Sequence, residues 1–164
     1  MKECKEIKNN EGANIRERYT QLCKKYSLPS FDELDREFEI SSIDEKENIL
    51  SAIRRKIENK IENFLKILHI VIEPDTTISD LHECRDFNED EKAEAFELFK
   101  QLMIIKRESE LIEIDPNEKM NADFIINVYK EWKPIKTKMT AIVSKMKNSW
   151  KKEFDFSGEL GYLG

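Results

Sequence analysis

The sequence predicts an all-α protein, an elongated bundle of helices, and three observations lead to that prediction. Apolar residues recur at intervals of three and four through long segments, which is the spacing of one helical face. Residues that cap helices stand ahead of these segments. Only four glycines and four prolines occur in 164 residues, so the turn residues that a β-sandwich or a Rossmann sheet needs are scarce.

Four helix starts are marked by capping residues. Ser30 and Ser42 are each followed by a glutamate three residues later. In this capping box, the serine hydroxyl and the glutamate carboxylate accept hydrogen bonds from backbone amides that the first turn of the helix leaves unpaired. Asn88 stands before the acidic residues 89–91, which favour the positive end of a helix dipole. Asn121 is predicted to cap the last helix.

These starts and the positions of the prolines divide the chain into helices. Three of the helices are long and form the bundle, and they are predicted at about residues 43–71, 89–112 and 122–152. Shorter helices are predicted at about residues 14–26, 31–39 and 79–86. The similar lengths of the three long helices favour an up-down-up bundle, with the shorter N-terminal helices covering one side.

Apolar stripes support the first and last of the long helices. The stripe of the first consists of Leu50, Ile53, Ile57, Ile61, Phe64, Leu68 and Val71. The stripe of the last consists of Val128, Trp132, Ile135, Met139, Ile142, Met146 and Trp150. The short apolar runs at 67–72 and 111–114 are also open to a strand interpretation, but both continue a helical stripe, so helix is preferred.

The length of the chain favours one helical domain over residues 1–164, because a chain of this size buries a core of its own. Residues 1–12 are expected to be frayed. Residues 154–164 differ from the rest and form a tail rich in glycine and aromatic residues. Glycine disfavours a helix there, while the aromatic residues disfavour a purely solvated tail.

The three cysteines, Cys4, Cys23 and Cys84, are odd in number and lack the spacing of a disulfide framework. Free thiols are typical of a reducing compartment. The N-terminus lacks the pattern of a signal peptide, and the longest apolar run is far shorter than a membrane span. The sequence therefore predicts a cytoplasmic protein without a transmembrane segment.

Positive charge is concentrated near the end of the chain. Residues 130–152 contain eight lysines and one acidic residue, a net charge of +7, in a chain whose net charge is −6. At 100° per residue, most of these lysines lie away from the apolar stripe, so the segment is a basic amphipathic helix. Such a helix binds acidic proteins, anionic lipids or phosphates. The alternative is a solvated face balanced by nearby acids such as Glu91 and Glu94.

Two sets of residues are the candidates for binding a partner. Contacts to a partner or to phosphate are expected from Lys138, Lys145, Lys147, Lys151 and Lys152. Anchors in the tail are expected at Phe156, Tyr162 and Leu163, which dock either on another chain or across the end of their own bundle. The two tryptophans lie on one helical face and are either core residues or anchors in a partner's groove.

No residue cluster in the sequence specifies a reaction. His82 and Cys84 are the one pair that resembles a metal or thiol site, but a spacing of two directs helical side chains about 200° apart. No second pair completes four ligands, and nothing near Cys84 predicts a lowered thiol pKa with His69 as base. The Glu-x-x-His pairs of di-metal bundles and glycine-rich phosphate loops are absent. The sequence therefore predicts no catalytic residue, metal or cofactor.

The segments Leu28–Ile40 and Ile53–Ile57, with Ser149 and Trp150, resemble uncharacterised all-helical proteins from archaeal genomes. The resemblance covers most of residues 28–152. It implies a cytoplasmic helical domain and carries no activity or site residue.

Two helical segments, Arg54–Leu68 and Glu89–Leu98, also resemble the helical domain of archaeal replisome scaffold subunits. The small β-domain that accompanies that helical domain has no counterpart in the sequence. Membership of that group is therefore not predicted.

The sequence predicts a non-enzymatic interaction module, a scaffold or regulator, that presents the basic helix and the aromatic tail to a protein partner or to another copy of itself. The alternative is a nucleic-acid-associated protein that contacts phosphates non-specifically through the C-terminal lysines. Residues 130–152 contain no arginine, which disfavours base-specific recognition because arginine supplies most bidentate base contacts.

Overall fold

The structure is a computed structural model that describes residues 3–44 and 46–152, with side chains described from Ile15 onward. Within these residues the chain forms α-helices and one 3₁₀ turn and contains no β-strand, so the predicted all-α class is confirmed. The helices are α1 Glu3–Tyr26, α2 Phe31–Phe38, α3 Ile49–Ile72, α4 Ile78–Cys84, α5 Glu89–Ile114 and α6 Glu118–Ser149. The tail of residues 154–164, with Phe156, Tyr162 and Leu163, lies outside the described residues.

Four of these helices have 24 residues or more, one more than the three long helices that the sequence predicts. The difference lies in α1, which begins at Glu3 and not near residue 14. Lysine and glutamate, both good helix formers, recur through residues 3–11, and no proline interrupts them. α1 is therefore as long as α3.

Two of the predicted caps are confirmed by their hydrogen bonds. The Ser30 hydroxyl accepts from the amide of Glu33 at 3.3 Å, and the Glu33 carboxylate accepts from the amide of Ser30 at 2.9 Å. Asn88 and Glu91 exchange the same pair of bonds, both at 2.9 Å, at the start of α5. Each reciprocal pair satisfies two amides that the helix itself leaves unpaired.

The predicted start of the long helix at residue 43 is wrong, because α3 begins at Ile49. Its cap is Asn48, whose side-chain oxygen accepts from the amide of Ser51 at 3.1 Å. Ser42 does not cap a helix. It ends the 3₁₀ turn Ile40–Ser42, and its hydroxyl donates to the Glu39 carbonyl at 2.8 Å.

Burial explains why the chain turns at this point. Ile40 and Ile43 both lie in the core, three residues apart on either side of the serines. A 3₁₀ turn aligns side chains at that spacing, so it carries both isoleucines inward. The helix begins only after this short connection is complete.

The predicted start of the last helix at residue 122 is also wrong. α6 begins at Glu118, and its cap is Asn117, whose side-chain oxygen accepts from the amides of Lys119 at 2.9 Å and Met120 at 3.2 Å. Asn121 lies inside the helix and is buried. α6 continues through Pro134 and ends at Ser149, three residues before the predicted end.

The predicted stripes form part of the core. All members of the α3 stripe are buried except Phe64, which packs against the core as a partly buried residue. Residues 67–72 belong to α3 and residues 111–114 to α5, so the strand interpretation of these runs is wrong. Trp132 of α6 is buried with its ring 4.7 Å from Phe38 and 5.6 Å from Phe64.

α3 is the central element among the described helices, since it contacts α2, α4, α5 and α6. α5 and α6 contact each other as well as α3, and α1 contacts α2 and α6. Nearly the whole length of α6 beyond Trp132 therefore has one buried side and one side that faces solvent.

Candidate partner-binding surface

The lysines of α6 do not form one continuous patch but lie on two sides of the helix. At 100° per residue, Lys138 and Lys145 are about 20° apart, while Lys147 lies about 180° from Lys138. Contacts agree with this division. Lys145 pairs with Glu91 of α5, whereas Lys136 on the other side pairs with Glu37 of α2 at 2.7 Å.

Lys145 is engaged within the chain. Its ammonium donates to the Glu91 carboxylate and lies 5.1 Å from the centre of the Phe87 ring. The hydrogen bond from Lys145, followed by that from the Asn88 amide, holds the pKa of Glu91 below its usual value. Lys145 therefore joins α6 to the start of α5.

Lys152 is engaged in a similar way, with its ammonium 2.6 Å from the Asp86 carboxylate. Beside it, the Trp150 indole donates to the Glu83 carboxylate at 2.6 Å, and the indole centre lies 4.5 Å from the His82 ring. These contacts fasten the end of α6 to α4 and to the connection that follows α4.

Trp150 differs from Trp132, although the sequence places both on one face. α6 ends at Ser149, so Trp150 is the residue after the helix and remains 50% exposed. Trp132 is a core residue. Ile142, between them in the stripe, is only partly buried.

The three remaining candidate lysines are exposed. Lys138, Lys147 and Lys151 form no ion pair with the side chains described from 15 to 44 and from 46 to 152. Of the five lysines that the sequence singles out, two therefore form ion pairs within the domain and three present their charge to solvent.

Lys138 stands at the edge of a groove between α5 and α6, which we call the α5/α6 groove. Its volume is about 520 Å³. Apolar side chains line its floor, namely Phe87, Ala95, Leu98, Ala141 and Ile142. Charged side chains line its two rims, acidic on α5 with Glu91, Glu94 and Glu97, and basic on α6 with Lys138 and Lys145.

A buried arginine links α3 to α5 and α6, and sequence reasoning did not identify it. Arg54 is 2% exposed. Its Nε donates to the Asn121 side-chain oxygen at 3.0 Å. Its Nη1 donates to two atoms of Ser109, the carbonyl oxygen at 3.0 Å and the hydroxyl oxygen at 2.7 Å. Ion pairs with Glu58 at 3.5 Å and with Glu113 balance its charge.

The sequence did contain a signal for this arginine. On α3, Arg54 lies about 40° from Leu50 and about 20° from Ile61, directly beside the edge of the apolar stripe. A charged residue at the edge of a buried stripe requires partners if it is buried too, because an unpaired buried charge is costly. Arg54 is therefore a structural junction, and its contacts are all with this chain's own helices.

The pair His82 and Cys84 does not converge on one point. The His82 Nε2 lies 3.2 Å from the Ser149 carbonyl of α6, while the Cys84 thiol lies 3.4 Å from the Val71 carbonyl of α3. Among the described residues, no group of three His, Cys, Asp or Glu side chains is placed to hold a metal ion. The described helices also include none with the length and apolar character to cross a membrane.

The chain matches no protein family, no curated protein and no solved structure. Its resemblance to archaeal helical proteins therefore stays a prediction. The described residues define an all-helical protein whose distinctive surface features are exposed lysines and a charged groove. Function is inferred from those features.

Proposed function

We propose that this protein is a non-enzymatic helical interaction module, a scaffold or regulator, that presents α6 and the tail of residues 154–164 to an acidic partner protein. The observation that carries the proposal is the exposure of Lys138, Lys147 and Lys151 on a helix end that other contacts hold in place. Charges on a fixed helix pair with a partner's carboxylates at a small cost in conformational freedom.

The fixed position of these lysines comes from their neighbours. Lys145 and Lys152 are paired with Glu91 and Asp86, so they hold α6 against α5 and the residues that precede it. Lys147 lies about 180° from Lys138, so the exposed charge is presented on two sides of α6. Complementary charge steers the association of an acidic partner and makes that association selective.

The α5/α6 groove supports a protein partner because it adds apolar surface next to the exposed charge. Protein interfaces combine an apolar centre with a polar rim. A partner segment with large apolar side chains would bury them against the exposed Ala141 and the partly buried Ile142, while its carboxylates meet Lys138. The tail anchors Phe156, Tyr162 and Leu163 follow Lys152 in the sequence, and the proposal includes them in the binding segment.

Nucleic acid is the weaker candidate. Pairing of Lys145 and Lys152 with carboxylates leaves three of the five lysines for phosphate contacts, and the chain as a whole carries −6. The affinity for a polyanion depends on the number of phosphates that the protein neutralises. Each such contact makes the binding constant fall with roughly the 0.9 power of the salt concentration. Three lysines on two sides of a helix provide few such contacts.

The proposal includes a bundle in which α3, α5 and α6 form the scaffold and the N-terminal helices cover one side. It also includes a cytoplasmic location, for which the free thiols of Cys23 and Cys84 are the support.

Affinity purification from the native cell tests the proposal, using the full chain and a chain that ends at Lys152. With nuclease present, the full chain is expected to retain a specific protein that the shortened chain loses, while both chains melt at the same temperature. Retention that disappears on nuclease treatment would identify nucleic acid as the ligand. A lower melting temperature for the shortened chain would show that the tail belongs to the fold.

A further inference from the structure

We draw no further inference here: the strongest candidate, the exposed apolar row Phe96, Ile104, Leu111 and Ile114 on the outer face of α5, is interrupted by Lys100 and Arg107, and nothing in the described residues shows what covers it.

Discussion

The Arg54 side chain donates from Nε to the Asn121 side-chain oxygen at 3.0 Å, a hydrogen bond that joins α3 to the start of α6 across 67 residues of sequence. Asn121 in turn donates to the carbonyl of Asn117, the cap of α6, at 2.8 Å. The beginning of α6 is therefore positioned from inside the core. Because the lysines lie farther along the same helix, their placement depends on this junction.

Replacing Arg54 with alanine is expected to destabilise the protein by about 3–5 kcal/mol, because it leaves the buried polar groups of Ser109 and Asn121 without their partner. The free energy of unfolding in urea measures the change. Arg55→Ala is the matched control, since Arg55 is the next residue on α3 and forms an exposed ion pair with Glu47 at 2.9 Å. Loss of an exposed pair costs about 1 kcal/mol or less. Equal losses for the two variants would show that Arg54 is not a junction.

The two tryptophans are expected to respond differently to replacement by alanine. Trp132→Ala should cost about 3–5 kcal/mol, because it opens a cavity between Phe38 and Phe64. Trp150→Ala should cost only about 1 kcal/mol, since the residue is half exposed and its main loss is one hydrogen bond to Glu83. Urea unfolding of both variants tests this. A larger loss at Trp150 would mean that the end of α6 contributes more to stability than its exposure indicates.

Glu37 predicts a dependence of stability on pH. Its burial raises the pKa, but the hydrogen bonds from Lys136 and the Trp132 indole outweigh burial and hold the pKa below the usual value of 4.5. A depressed folded-state pKa means that Glu37 stabilises the fold above the unfolded-state pKa, and that this contribution is lost as pH falls through the folded-state pKa.

Glu37→Gln should therefore reduce the fall in unfolding free energy between neutral pH and about pH 3. NMR titration of the Glu37 carboxylate offers a direct check. A midpoint at or above its usual value would contradict the assignment of the two hydrogen bonds.

The helices could be predicted from the sequence where local signals and core packing agree. Ser30 and Asn88 cap helices as expected, because each is followed by a carboxylate at the third position and by apolar residues that reach the core. Ser42 has the same local pattern, but Ile40 and Ile43 are buried on either side of it and the chain turns there instead. A capping pattern does not predict which of the neighbouring side chains will be buried in the core.

The candidate surface was predicted less fully, because charge pairing depends on neighbouring helices. The sequence shows that α6 is rich in lysine, but only the packing of α6 beside α5 and α4 reveals that Lys145 and Lys152 are paired. Arg54 resembles an ordinary surface residue until its angular position, next to the edge of the α3 stripe, is compared with that of Ile61.

The central claim is that exposed lysines of α6 bind a partner protein, and a charge reversal tests it most directly. Lys138, Lys147 and Lys151 would all be changed to glutamate, and the control would carry the same change at three exposed lysines elsewhere, Lys24, Lys46 and Lys66. Both variants should keep the helical content of the wild type by circular dichroism. In nuclease-treated extracts, the protein retained by the wild-type chain should be lost from the α6 variant and kept by the control. Retention by the α6 variant, or equal loss from both variants, would contradict the claim.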